Sequence, residues 1–369
     1  MKKIFQKAIV ALYFVLALAS CSQEVKHQVL ELKEYDSISI AINYPYLSNY
    51  PHLTPCVREG ELYVVGYNYF EHYFDYVNLS GGKHFSVEMQ REGTDGVLTP
   101  SRYWVLENGI VCQTQTGVVA LDMEGKVQHR VSEKELVAPD DIYLIRPRGA
   151  AMGNYDYEGS LGSQCFIPLS PLNKEVDVAI GKVYDTDTRT LELLPALYPE
   201  AVKALFQVNS LTMPRINALN ADRIIYNFPY SSKVYQYDRR TQETFVMDMS
   251  SRTIANELEM KEFEISNAAE KGKKEMTTSR FDWVHYSVEA DKYYRVHHSG
   301  YEDFNDMEAI RMRKTYLMVY DEKDHTTKEY LLPSQFSGIY FIHDDVLYFD
   351  FDGTNDEVLT FAKIYLREL

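Results

Sequence analysis

Residues 216–249, INALNADRIIYNFPYSSKVYQYDRRTQETFVMDM, alternate short apolar runs with turn-forming joins, and this stretch most constrains the fold of the chain. The joins at Asn220–Asp222, Pro229–Ser232 and Asp238–Gln242 are rich in residues that favour turn conformations. The runs between them are four to six residues long and rich in Ile, Val, Tyr and Phe, which is too short for stable helices and suits strands. The spacing predicts a four-stranded antiparallel meander, the unit of a β-propeller blade.

The same pattern recurs along the chain. From Pro55, strands are predicted at Glu61–Tyr67, Tyr73–Leu79 and Phe85–Met89, then at Tyr103–Leu106, Gly109–Gln113, Gly117–Asp122 and Val127–Val131. A third unit spans about Tyr143 to Leu194 with an irregular insert, Arg146–Gln164, followed by a short helix at Pro199–Phe206. The fifth holds Phe281–Val288, Lys292–His297, Tyr316–Asp321 and Lys328–Leu332, and the sixth Gly338–His343, Val346–Asp350 and Leu359–Leu366. Asp122, Asp185, Asp238 and Asp321 each end a strand, where a carboxylate can bond the amides of the turn ahead.

Meanders repeating every ~40–60 residues point to an all-β, six-bladed β-propeller. A β-sandwich would carry similar turns but rarely runs to this length as one domain. Seven blades remain open if the charged segment Ile254–Met276, read as a helical or disordered excursion, holds strands. The sixth unit lacks a strand, and an open edge leaves unpaired backbone groups. The N-terminal piece Val29–Leu32 is expected to close it; Ser37–Ile42 is a further strand candidate.

Lys2, Lys3 and Lys7 precede an apolar run from Ala8 to Ala19, a secretory signal too short to span a membrane. Leu18-Ala19-Ser20-Cys21 resembles the bacterial lipobox, in which the cysteine thiol is diacylated and the chain is cut before it. The expected organisation is a signal peptide over 1–20, a lipidated tether over 21–28 and one propeller over 29–369. Several acyl chains on Cys21 would hold the body on a membrane, and Ser22 resembles the sorting pattern for an outer membrane. Losing residues 1–20 moves the net charge from −16 to −19, which excludes nucleic-acid binding through the general field. The remaining cysteines, Cys56, Cys112 and Cys165, allow one disulfide or three buried thiols, and their spacing fits no zinc pattern.

Two further motifs, Asn227-Phe228-Pro229-Tyr230-Ser231-Ser232 with Val234–Asp238, and Lys292-Tyr293-Tyr294-Arg295-Val296, join the lipobox in a resemblance. Together they resemble a family of Bacteroidetes-type lipoproteins expected to be six-bladed propellers. The resemblance implies fold and location; it brings no activity, cofactor or catalytic residue.

The residues themselves offer little chemistry. Asp344, Asp345 and the run Asp350–Glu357 could wrap calcium, but Asp-Gly between strands is an ordinary hairpin signal. His297 and His298 point to opposite faces of a strand, so only one of them can share a face with a given partner such as His285, which argues against a two-histidine metal site on this pair alone. Tyr294 and Arg295 read as structural contacts between blades. No serine, cysteine or zinc-protease signature is present, so no catalytic residue, metal or cofactor is assigned. The expected function is a membrane-anchored binding or scaffold module for a glycan, peptide or partner protein. The alternative is a polysaccharide-active enzyme with carboxylates in the funnel. Asn154, Tyr155 and Tyr157 of the insert are the expected binding residues, with Trp283 a weaker candidate because it falls in a strand.

Overall fold

The computed structural model describes residues 26–32, 34–42, 50, 52–137, 142–144, 160–171, 179–203, 213–257, 268–301, 313–334, 336–351 and 357–369. Six sheets succeed one another along the chain. Blade 1 is Leu53–Arg58, Glu61–Asn68, Tyr73–Asn78 and Phe85–Glu88; blade 2 is Arg102–Leu106, Gly109–Thr114, Gly117–Asp122 and Val127–Ser132. In blade 3 the first strand is split, Ile142–Leu144 and Ser160–Leu161 pairing with opposite ends of Gln164–Pro171, followed by Ala179–Asp185 and Thr190–Leu197. Blade 4 is Arg215–Ala218, Arg223–Asn227, Lys233–Asp238 and Glu243–Asp248. Blade 5 is Arg280–Ser287, Lys292–His298, Thr315–Asp321 and Thr326–Leu331; blade 6 is Phe336–His343, Val346–Phe351 and Val358–Tyr365.

The N-terminal segment closes the ring, but not through Val29–Leu32. Asp36–Ala41 runs antiparallel to Val358–Tyr365 and is the fourth strand of blade 6, whereas Lys26–Glu31 lies parallel on the outer strand of blade 5. Apolar burial decides between them. Ile40 and Ile42 are buried between blades 6 and 1, while Val29 and Leu30 are 51% and 38% exposed. A closing strand must offer an apolar face to the next blade, and only the second segment does. Pairing begins at Lys26, inside the stretch read as a tether.

Successive residues of a strand serve two neighbours. In blade 2, Ile110 and Cys112 pack toward blade 1 and Val111 packs toward blade 3. This is why the inner strands read as continuous apolar runs. Apolar clusters fill every junction from blade 1 to blade 6 and from blade 6 back to blade 1, so the six blades form a closed ring. The excursion after blade 4 adds no blade; its described part ends in a helix, Ala268–Thr277.

The strand-end aspartates behave as expected. Asp122 accepts from the amides of Glu124 and Lys126, Asp185 from Asp187 and Thr188, Asp238 from Arg240 and Thr241, and Asp321 from Asp324. Cys56, Cys112 and Cys165 are buried thiols with no disulfide.

Candidate functional site

The first strands of neighbouring blades touch one another around the axis and line the central channel. First strands begin, second strands end and third strands begin at one end of the ring, here called the upper face. Three first strands open on arginine at this face: Arg102 in blade 2, Arg215 in blade 4 and Arg280 in blade 5.

Asp282, one step inside Arg280 on the same side of its strand, is the hub. Its carboxylate accepts from Arg215 Nη1 at 2.6 Å, from His298 Nε2 at 2.7 Å and from the Tyr340 hydroxyl at 3.0 Å. These partners come from blades 4, 5 and 6, and Asp282 is 2% exposed. Burial works to raise its carboxyl, but His298 and the Arg215 and Arg280 charges outweigh that and hold it well below the usual carboxylate range. Burial pushes His298 down to about 3, with the Arg313 charge adding to it, so the imidazole is neutral. Its Nε2–H donates to Asp282 and its Nδ1 accepts from the Thr315 hydroxyl at 3.0 Å.

The two motifs that carry the family resemblance meet behind this hub. Arg295, 1% exposed, donates to the Ser231 and Ser232 carbonyls at 2.9 and 3.1 Å, and its guanidinium lies 4.0 Å over the Phe281 ring. Asn227 Nδ2 donates to the Asp282 carbonyl at 2.9 Å. The Tyr294 hydroxyl reaches the Leu366 carbonyl of the C-terminal end at 3.0 Å. Tyr294 and Arg295 are thus contacts between blades, as their sequence setting suggests.

His297 faces the other way, as alternation requires. Its Nε2 lies 3.0 Å from Glu329, which also accepts from Ser251 at 2.6 Å, Thr253 at 2.7 Å and the Arg252 amide at 2.8 Å. Burial would raise Glu329, but these partners outweigh it and bring the group to about 2. His27 of the N-terminal strand sits 3.7 Å from the same carboxylate. This knot, built on the fully buried His297 and Glu329, fastens the 251–254 turn and the first strand onto blade 5.

Asp344 and Asp345 form a hairpin turn with positive φ at both residues. Asp345 accepts from Ser287, His285 and Arg367, and no group of three metal-ligating side chains occurs among the described residues. Trp283 is 4% exposed in the apolar cluster of blades 5 and 6 and stacks on Tyr340 at 5.6 Å. It braces the ring whose hydroxyl reaches Asp282 and offers no face to solvent. Cys21, Asn154, Tyr155 and Tyr157 lie outside the described residues; the segment holding the last three leaves and rejoins the channel-lining strand of blade 3.

Sequence reasoning missed the arginines and an aromatic pair. Tyr69 and Phe70, on the turn between the second and third strands of blade 1 at the upper face, are 46% and 64% exposed with ring centroids 4.1 Å apart. Aligning the blades at their first strands would have found the arginines: Ser101-Arg102, Pro214-Arg215 and Ser279-Arg280 stand at equivalent positions.

Fold and site together define a six-bladed β-propeller with a buried ionic cluster at one mouth of its channel. The chain belongs to the family described as "Domain of unknown function (DUF4221)", whose pattern matches residues 32–330. It is similar to the crystal structure of a member of that family from Bacteroides vulgatus, with TM-score 0.66 and 13% identity over 90% of this chain and 97% of that one. It is also similar to a Bacteroides fragilis protein described as exported, with TM-score 0.53 and 10% identity over 92% and 99% of the two chains. At such identities the likeness shows the fold alone. No curated protein matches. No helix among the described residues is long and apolar enough to cross a membrane.

Proposed function

We propose that the protein is an exported lipoprotein, acylated at Cys21, whose propeller is a non-enzymatic binding module taking a glycan, peptide or partner protein at the upper mouth of its channel. The observation that supports this reading best is the convergence of Arg215, Asp282, His298 and Tyr340 from three blades onto one buried point at the axis. Blade packing does not require it, since apolar side chains fill the junctions, and burying each ion costs several kcal/mol before pairing. Charged groups held rigidly at the end of a channel fit a recognition site.

The exposed Tyr69–Phe70 pair on the same face supplies rings on which a sugar or apolar side chain can stack. Asn154, Tyr155 and Tyr157 are further binding candidates on the segment inserted in the blade 3 channel strand. Asp282 is poorly suited to glycoside cleavage as an acid, because it is held ionised with both oxygens engaged. The lipobox ending at Cys21 motivates the anchor, and Ser22 the outer membrane.

The full-length protein screened on glycan and peptide arrays is expected to retain a ligand, and Tyr69→Ala with Phe70→Ala is expected to weaken retention without lowering the melting temperature. An array without ligands, or ligands indifferent to every substitution on the upper face, would sink the reading.

A further inference from the structure

Arg280 and Arg313 stand apart from the arginines already accounted for. Arg280 pairs across the sheet with His298, and His298 pairs with Thr315, so the three form one row at the upper end of blade 5. Arg313 precedes Thr315 by two residues and donates from Nε to the Ser299 carbonyl at 3.1 Å, while its guanidinium lies 5.3 Å over the Tyr301 ring. Both arginine charges therefore act on His298, Arg280 from the paired strand and Arg313 from beside Ser299. Gly300 lets this turn approach the preceding helix, since a Cβ there would stand 1.7 Å from the Thr277 carbonyl oxygen.

Neither arginine has a carboxylate within ion-pair distance among the described residues, and the buried Nε of Arg280 has no hydrogen-bond partner. Among the described residues the carboxylate that acts on this row is Asp282, and it is already engaged by Arg215, His298 and Tyr340. Burial and the Arg280 charge push Arg313 down to about 10, the mark of two like charges held close in a poorly solvated place. Such repulsion is tolerated where a bound anion offsets it, and a planar guanidinium offers paired donors to an oxyanion.

We propose that Arg280 and Arg313 form an oxyanion-binding site at the upper channel mouth, which takes a carboxylate or phosphate group of the ligand. The inference rests on the reading of this face as the recognition surface and assigns the chemical class it selects. It also gives a role to a cationic spot in a chain of net charge −16: the surrounding field repels anions in general, and the recessed cluster admits one that fits.

The test is isothermal titration calorimetry of the full-length protein at low ionic strength with inorganic phosphate and with galacturonate, galactose serving as the uncharged control. One or both anions are expected to bind and galactose is not. Phosphate alone assigns a phosphate-bearing ligand; galacturonate alone assigns an acidic sugar or other carboxylate. Arg280→Gln and Arg313→Gln are each expected to weaken binding by about tenfold or more, and Arg280→Lys, which keeps the charge but loses the fork, by several-fold. Arg280→Gln is expected to melt close to the wild type in the absence of anion, because the like-charge contact with Arg313 that it relieves offsets the attraction to Asp282 that it loses. Failure of both anions to bind, equal binding by Arg280→Gln, or a marked drop in its melting temperature would overturn the proposal. If an array ligand binds wild type and Arg280→Gln alike, the oxyanion site falls while the binding-module reading stands.

Discussion

Replacing Asp282 with Asn keeps the side-chain shape and removes its charge. The native carboxylate holds three donors from three blades and is 2% exposed. His298 can adapt to the amide: the other neutral tautomer accepts at Nε2 and donates from Nδ1 to Thr315. Arg215 cannot adapt in this way, and it loses the counter-charge 2.6 Å away. Removing one partner of a buried ion pair costs about 3–5 kcal/mol, and the adjustment at His298 favours the lower end, ~3 kcal/mol. With an unfolding entropy of about 2.1 cal/mol/K per residue over roughly 340 residues, ~3 kcal/mol lowers Tm by about 4 °C. Circular-dichroism melts at pH 7 measure this directly. Adding Arg215→Met removes the cation that has lost its counter-charge, so the double variant should fall short of the summed single losses by about 1–3 kcal/mol. An Asp282→Asn protein that melts within about 1 °C of wild type, or single losses that simply add, would refute the view of Asp282 as the counter-charge that joins blades 4, 5 and 6.

Ring closure predicts that a chain starting at Glu34 keeps most of its thermal stability, whereas one starting at Tyr50 loses Asp36–Ala41, exposes the edge of Val358–Tyr365 and self-associates; equal melting and elution of the two would contradict this. Asp75, wholly buried with Tyr50, Asn68 and Ser86 donating to it, has its carboxyl pushed up by burial to about 6. Its protonated form is the one the fold prefers, so stability is lost as pH rises from 3.8 through about 6; Asp75→Asn should gain roughly 3 kcal/mol at pH 8 and nothing below pH ~4, and a pH-independent difference would count against it. His298, held at about 3 when folded against 6.5 for a free imidazole, should make stability fall as pH drops below 6.5; in the Asp75→Asn background, which removes the opposing carboxyl, a flat profile between pH 6.5 and 4 would argue that the imidazole is not buried neutral. Gly66→Ala would place a Cβ 2.3 Å from the Tyr50 ring, whose hydroxyl is tied to Asp75, for an overpacking cost of about 1–3 kcal/mol or more that should shrink in a Tyr50→Ala background.

Much of the fold was legible because propeller strands obey local rules. Blade 2 begins and ends within a residue of expectation, because Gly109, Gly117 and the Asp122–Gly125 turn punctuate apolar runs that need no distant information. The strand-end aspartates were equally plain, since each carboxylate bonds amides two to four residues ahead in its own turn. His297 and His298 could be separated in advance by the alternation of a strand, and the structure sends one to Glu329 and the other to Asp282.

Partners far apart in sequence were not legible. Val29–Leu32 and Asp36–Ala41 both have strand character, and only the apolar gap between blades 6 and 1 selects the second as the closing strand. Arg215, Asp282, His298 and Tyr340 are spread over four strands, and nothing local to any of them announces a shared point at the axis. The sequence alone thus determined most strands and their turns and narrowed the ring to six or seven blades, because periodicity and turn chemistry act over a few residues; the six sheets of the structure decide the number. Tertiary structure decided which strand seals the ring and which charges meet in the channel, because closing six blades brings chain-distant first strands within hydrogen-bond reach.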